Sequence, residues 1–406
     1  MSGKLIFNYV AENYKKMFCE PDGQLKHKYI TPGATYYKSL WDWDCWLTNV
    51  ALRQCTSEDI SEYEKGCIIN FLEHIDKSGR IPYQITADSF LPPDYHDENF
   101  DSNIHKPCLA QHTAFIVKSY GDDIDWLRPY FDDILKFVDY YMNNYRHETG
   151  LYYWVDDCGI GVDNDPCTFF RTPKSSGSIY LNCLMFKELE AVCYLGELLG
   201  NDVSVYRKEA DNLKNAIREN CYDEKDGFYY SVDFNLLPKE NEYNLHAGAP
   251  RHWDCIMLRI GVWSGFMAMW SGIATPEQAD RMVKENLLDD NMFWCNAGVR
   301  SLSKYEKMYS VKATENPSCW LGPVWIVANY MVFKGLVKYG YNDIARELAE
   351  KTISLLEKDI ISSGDIHEYY DPESGSPMHN IGFQNWNLLA VNMKAWLDGK
   401  EVIEEF

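Results

Sequence analysis

Apolar residues recur along the chain with the spacing of helices buried on one side. Trp43, Trp46, Leu47, Val50 and Ala51 fall at i, i+3, i+4, i+7 and i+8. Trp126, Tyr130, Ile134, Phe137, Val138 and Tyr141 follow the same rule, as do Met185, Leu189, Val192 and Leu195. The pattern predicts about twelve helices, near 4–17, 43–55, 59–75, 107–120, 126–145, 178–199, 203–221, 260–272, 276–288, 320–339, 343–358 and 383–397. Thr275-Pro276-Glu277-Gln278 is a capping box with proline in the first turn, a strong helix start.

Short alternating stretches interrupt the helices and repeat. Gly150 to Asp156 reads GLYYWVD, Gly227 to Asp233 reads GFYYSVD, and Gly364 to Asp371 is a looser echo, GDIHEYYD. No Pro/Gly/Ser-rich linker or low-complexity tract divides the chain, so residues 1–406 are expected to form a single domain. Twelve helices with extended excursions after some pairs predict an all-α (α/α)6 barrel, or toroid, with six inner helices inside six outer ones. The segments ahead of every second helix are rich in Trp, Tyr and carboxylates: "YYKSLWDWD" (36–44), "SNIHKP" (102–107), "GIGVDNDPCTFF" (159–170), "RHWDCIMLR" (251–259), "ENPSCW" (315–320) and "HEYYDPESGSPMHNIGF" (367–383). If those helices form the inner ring, all six segments converge on one rim.

Composition narrows the function classes. The chain of 406 residues has 13 Trp and 29 Tyr, more aromatic side chains than packing alone usually needs. Such a surplus suits a carbohydrate-binding cleft. A net charge of −22 repels polyphosphates, so no nucleic-acid partner is expected. The N-terminal residues are broken by Asn, Glu and Lys and do not read as a secretory segment, and no stretch reaches membrane-span length. Thirteen cysteines without any C-x-x-C pair read as reduced, mostly buried thiols, and the expected location is cytoplasmic.

Glycoside hydrolysis needs two carboxyl groups across a sugar pocket, one giving a proton to the leaving oxygen and one activating water or attacking carbon. Asp163 and Glu368, ahead of the third and sixth inner helices, fit that requirement from opposite sides. Asp156, Asp157 and Asp165 are near Asp163, and like charge favours its protonated form. The ordinary use of an Asp beside a proline is an Asx turn, and a Glu beside a D-P turn is commonly solvated.

Together the motifs resemble glycoside hydrolase family 63 and its mannosylglycerate-hydrolase-like relatives, with trehalases more distant. "GVDNDP" is similar to G-L-D-N-S-P, "SLWDWD" to W-D-x-D, and "WLGPVWIVANY" to W-R-G-P-V-W-x-x-x-N-Y. "HEYYDPESG" resembles F-E-Y-Y-N-P-x-T-G, and "GFQNW" resembles the following G-F-x-W. The matches run in family order from about residue 36 to 390. The resemblance implies an (α/α)6 barrel and an inverting mechanism, with Asp163 as general acid and Glu368 as general base. It implies substrate contacts at Tyr37, Trp41, Asp44, Trp320 and Trp325; Trp386 and Lys106 join them as pocket candidates. Two departures bear on the substrate: Leu321 stands where relatives carry Arg, and His105-Lys106-Pro107-Cys108 replaces S-Q-P-P.

The expected activity is therefore an exo-acting, α-glucosidase-like hydrolase of a short glycoside, needing no cofactor or metal and taking a small carbohydrate as partner. Lys106, Arg171, Arg251 and Arg259 in the rim segments raise the expectation of an anionic aglycone, with ion pairing to nearby carboxylates as the alternative. A calcium loop at 156–165 lacks the terminal Glu of a loop site, and His252 with Cys255 lacks a second pair for zinc. One rival is an N-acylhexosamine 2-epimerase-like isomerase on the same toroid, using His246, His252, His367 or His379 for proton transfer. A second is a non-catalytic sugar-binding toroid, which would not need both carboxylates.

Overall fold

A computed structural model describes residues 3–97, 99–238 and 250–406. Among them are twelve helices: α1 (Lys4–Asn13), α2 (Asp42–Cys55), α3 (Ser61–Leu72), α4 (Leu109–Ser119), α5 (Phe131–Asn144), α6 (Ile179–Leu199), α7 (Ser204–Cys221), α8 (Met267–Trp270), α9 (Pro276–Arg281), α10 (Ile326–Lys338), α11 (Asn342–Ser363) and α12 (Ala390–Leu397). All twelve expected segments are helical. Five are built partly from other turns: 3-10 helix at Tyr14–Met17 follows α1, 3-10 helix at Asp125–Leu127 precedes α5, 3-10 helix at Trp263–Phe266 leads into α8, π-helix at Met282–Leu287 continues α9, and 3-10 helix at Asn385–Leu389 leads into α12. The capping box forms as expected, with Gln278 N donating to Thr275 Oγ1 and Thr275 N to Gln278 Oε1.

Burial separates two kinds of helix. Nine of the eleven residues of α4 and eleven of the fourteen of α2 are buried, so these helices are enclosed on all sides. In α7 only seven of eighteen are buried, and in α5 five of fourteen, which leaves one face in solvent. The even-numbered helices contact one another in the order α2, α4, α6, α8, α10, α12 and back to α2. Five of the odd-numbered ones lie against them: α1 on α2 and α12, α3 on α4, α5 and α7 on α6, α11 on α10 and α12.

Buried polar side chains on the even helices hold neighbouring segments in place. Glu188 of α6 accepts from the amides of Ala110 and Gln111 at the start of α4, at 2.7 and 3.0 Å, filling donors that a helix start leaves open. Asn182 pins Tyr152 through both its N–H and its C=O, and Asn329 of α10 accepts from Val299 N. The repeated Gly-aromatic stretches share one device. Gly150, Gly227 and Gly364 all have positive φ (85°, 64°, 81°), reversing the chain into extended segments. After Gly227 the chain forms a strand, Ser231–Asp233, which pairs antiparallel with Ser176–Gly177 and with Ile256–Leu258. This small sheet fixes the segment leading into α6. No helix among the described residues is long and apolar enough to cross a membrane.

Candidate active site

The segment "GIGVDNDPCTFF" divides its polar residues between holding the turn and facing a cavity. Gly161 has φ +80°, and a Cβ there would lie 2.7 Å from Lys106 Cε and 3.0 Å from the Trp43 indole, so only glycine allows this approach. Asp165 is buried and closes the turn: its Oδ1 accepts from Cys167 N at 3.0 Å, and its carbonyl from Thr168 and Phe169 N. Burial pushes the Asp165 carboxyl up to about 6. Asn164 Oδ1 accepts from Trp320 N at 2.6 Å, tying the turn to the segment before α10. Asp156 is likewise structural, accepting from Ser102 Oγ and Asn103 Nδ2 at 2.9 Å each. Asp163 is the residue left facing the cavity, with Asn316 Nδ2 at 3.3 Å from Oδ2.

That cavity, about 440 Å³, is of small-ligand size. Asp163 and Glu368 both line it. Glu368 is 4 % exposed; its backbone N–H donates to His379 O at 2.9 Å, and its Oε2 accepts from Asn380 Nδ2 at 3.0 Å. The Tyr36 hydroxyl also faces it. Burial, with the charges of Asp44 and Asp163 adding to it, pushes the Glu368 carboxyl up to about 8 against the opposing bond from Asn380. Asp44, in the first turn of α2, is a third carboxylate on the wall. Its Oδ1 accepts from Asn385 Nδ2 at 2.5 Å, and Asn385 Oδ1 accepts from Thr48 Oγ1. Burial lifts Asp44 to about 7, with Lys106 opposing and Asp42 adding.

The aromatic expectations divide. Trp41, Trp325 and Trp386 line the cavity. Trp320 does not: it is stacked between Trp263 (6.0 Å) and Trp325 (3.9 Å, interplanar 5°) and backs the wall rather than forming it. Tyr37 also lies off the wall, 54 % exposed, and its neighbour Tyr36 lines the cavity. Trp43, Tyr83 and Phe383 line it too and were not singled out from sequence. The indole Nε1 atoms of Trp41 and Trp386 are buried and have no acceptor among the described residues.

The four cations singled out at the rim are paired with carboxylates, the alternative named above. Lys106 lines the cavity, but its Nζ lies 2.8 and 3.0 Å from the two Asp42 oxygens, and its backbone N–H donates to Asp42 Oδ2 at 2.9 Å. Arg171 pairs with Asp233, and Arg259 with Asp223. Arg251 donates to Leu237 O at 2.6 Å and is 3.5 Å from Asp254. None of these three arginines is on the cavity wall. Among the described residues no histidine lines it either. His367 Nδ1 faces Asp359 at 2.9 Å, His252 is exposed, and His246 lies outside the described residues.

The chain is 24% identical over 280 residues to the mannosylglycerate hydrolase MGH1 of Selaginella moellendorffii, covering 68% of this chain and 50% of that protein. It is 22% identical over 434 residues to a probable trehalase of Eremothecium gossypii, covering 88% of this chain and 54% of that one. The chain thus spans about half the length of these curated relatives. The solved GH63 mannosylglycerate hydrolase of Thermus thermophilus, in complex with glucose, shares the fold with a TM-score of 0.69 at 17% identity, over 96% of this chain and 99% of that one. The family model for the mannosylglycerate hydrolase MGH1-like glycoside hydrolase domain matches residues 36–387, and the chain belongs to that family.

Proposed function

We propose that residues 1–406 form a single (α/α)6-barrel domain acting as an inverting, exo-acting glycoside hydrolase of α-glucosidase-like type. The carrying observation is that Asp163 and Glu368, from segments ahead of α6 and α12, line one cavity walled by tryptophans. The closed order of contacts among the even helices supports the barrel reading. In the proposed reaction Glu368 accepts a proton from water as it attacks the anomeric carbon. Asp163 donates a proton to the departing oxygen, and a sugar held by Trp41, Asp44, Trp325 and Trp386 completes the site. Tyr36 takes the place that the resemblance implied for Tyr37. The cytoplasmic location rests on the sequence alone, through its odd number of scattered cysteines.

The test is the first-formed anomer of the product, read by NMR. An inverting enzyme releases the anomer opposite to the bond cleaved, and retention would make Glu368 a nucleophile. In a sugar complex the two carboxyl groups should be roughly 6.5–9.5 Å apart. The epimerase reading needs an imidazole at the sugar, and no described histidine lines the cavity. Release of a reducing sugar from a glycoside decides between the two.

A further inference from the structure

The charges on the cavity wall speak to the substrate. Among the described residues the wall carries four carboxylates, Asp44, Asp157, Asp163 and Glu368, and one cation, Lys106. Lys106 is 2 % exposed and is already bound to both oxygens of Asp42, which is itself 1 % exposed. Drawing Lys106 toward a ligand would leave Asp42 as an uncompensated buried charge, the costly way to break such a pair. The three rim arginines are held by other groups and lie off the wall.

What the wall does offer is neutral. Trp41, Trp43, Trp325 and Trp386 present uncharged indole rings to the cavity. Phe169 lines the cavity and packs on Phe170, with ring centroids 3.9 Å apart; Phe170 is 85 % exposed at a φ of 62°. A bulky residue rarely adopts that backbone conformation. A negative group entering here would find, among the described residues, no free cation on the wall to answer it.

We propose that this cavity selects glycosides with an uncharged aglycone, a neutral polyol or second sugar, and rejects a carboxylate or phosphate in that position. The proposal rests on the hydrolase reading above. It also sets this chain apart from relatives whose name specifies mannosylglycerate, an anionic glycoside.

The decisive comparison uses matched pairs that differ only in the aglycone: α-glucosyl-glycerol against α-glucosyl-glycerate, and α-mannosyl-glycerol against α-mannosyl-glycerate. For whichever sugar is cleaved, kcat/KM is expected to favour the glycerol compound by about tenfold or more at low ionic strength. Equal rates, or a preference for the glycerate compound, overturn the proposal. A calorimetric binding arm needs no turnover: the neutral glycosides should bind, while the glycerate glycosides and free D-glycerate at about 10 mM should not. Saturable binding of a glycerate compound overturns the proposal, as does failure of the neutral glycosides to bind. If ligands bind as expected but none is cleaved, the hydrolase reading fails and the charge preference stands. Asp42→Asn releases the Lys106 charge and should reduce the neutral-over-anionic ratio several-fold. A ratio that does not move would assign the rejection to something other than Lys106 pairing and overturn the argument.

Discussion

Two buried glutamates among the even-numbered helices meet opposite fates. Glu405 is 3 % exposed and Glu368 4 %, so burial alone does not distinguish them. Glu405 receives Trp270 Nε1 at 2.6 Å and the Tyr330 hydroxyl at 2.7 Å, with Lys334 Nζ 3.7 Å away, and its backbone carbonyl accepts from Trp46 Nε1. Burial works to raise it, but the Lys334 charge and these donors outweigh burial and hold it below the ordinary range. Glu368 has an amide, a phenol and two acidic neighbours, and is pushed up to about 8. A carboxyl that can exchange a proton near neutrality is made here by withholding cations, whereas a saturated one joins α2, α8 and α10.

Exchanging the two glutamates for glutamine is the strongest way to break this contrast. Glu368→Gln, like Asp163→Asn, should cut turnover by roughly 10²–10⁴-fold. It should also stabilise the fold in a pH-dependent way. Between the ordinary Glu value of about 4.5 and about 8, the unfolded chain ionises at this position while the folded chain does not. Wild type therefore loses stability across that window, and the glutamine variant does not. The Tm difference should open between those pH values and stay level above them, by roughly a few degrees. A Glu368→Gln variant that melts below wild type at pH 8 would refute the electrostatic account.

Glu405→Gln should do the reverse. Removing one partner of a buried pair costs about 3–5 kcal/mol, and the low end applies because Lys334 keeps Glu404 at 2.7 Å. Turnover well below the melting temperature should stay within about twofold of wild type, as expected for a change away from the reacting groups. The sign in pH is also opposite. A depressed carboxyl stabilises the fold above its unfolded value, about 4.5, and that stability is lost as pH falls through the folded value. The Tm gap between wild type and Glu405→Gln should thus close in acid, which a denaturation series from pH 7 to pH 3 would register.

How much of this was legible in the sequence depends on the range of the interaction. Helices were legible because spacing is local. Where α10 starts was not: Gly322 (φ +146°) and Pro323 keep 320–325 out of the helix until Ile326. The 3-10 and π turns at 263–266, 282–287 and 385–389 were also missed, because they leave the apolar spacing nearly unchanged. Asp163 and Glu368 stood out through their places ahead of two inner helices and, more specifically, through motifs in family order. Trp43 was read as core because a helix buried all round has no pattern that separates a pocket wall from packing. Of Trp320 and Trp325, only the stacking order tells which faces the cavity. The arginines looked free because their partners are remote in sequence: Arg259 meets Asp223 and Arg171 meets Asp233 only once the chain folds.

The pocket side of the contrast can be sharpened through the backbone. Gly161→Ala places a methyl against Lys106 Cε and the Trp43 indole at a φ of +80°, so the turn carrying Asp163 must shift. Positions this strained typically cost about 1–3 kcal/mol. Displacing a reacting group by about 1 Å can cost on the order of 10²-fold in rate. Turnover should therefore fall further than stability does. A variant with wild-type kcat and only a lowered Tm would mean that the position of Asp163 is not controlled by this turn.

The smallest effect is the most specific. If Glu368 acts as the base, kcat/KM rises as it ionises, so the acidic limb of the profile should fall near about 8 rather than near 4.5. Asp44 is one of the charges that hold it there, and burial is the larger cause. Asp44→Asn should accordingly move the limb downward without returning it to the ordinary Glu value, whatever it does to the absolute rate through lost sugar contacts. Glu405→Gln, acting on the saturated site, should leave the limb in place. A limb of opposite sense, with activity falling as pH rises through that value, would mean that Glu368 donates the proton. The roles of Asp163 and Glu368 would then be exchanged, since a proton held to about 8 serves an acid as well as its loss serves a base, and only the direction of the limb separates the two.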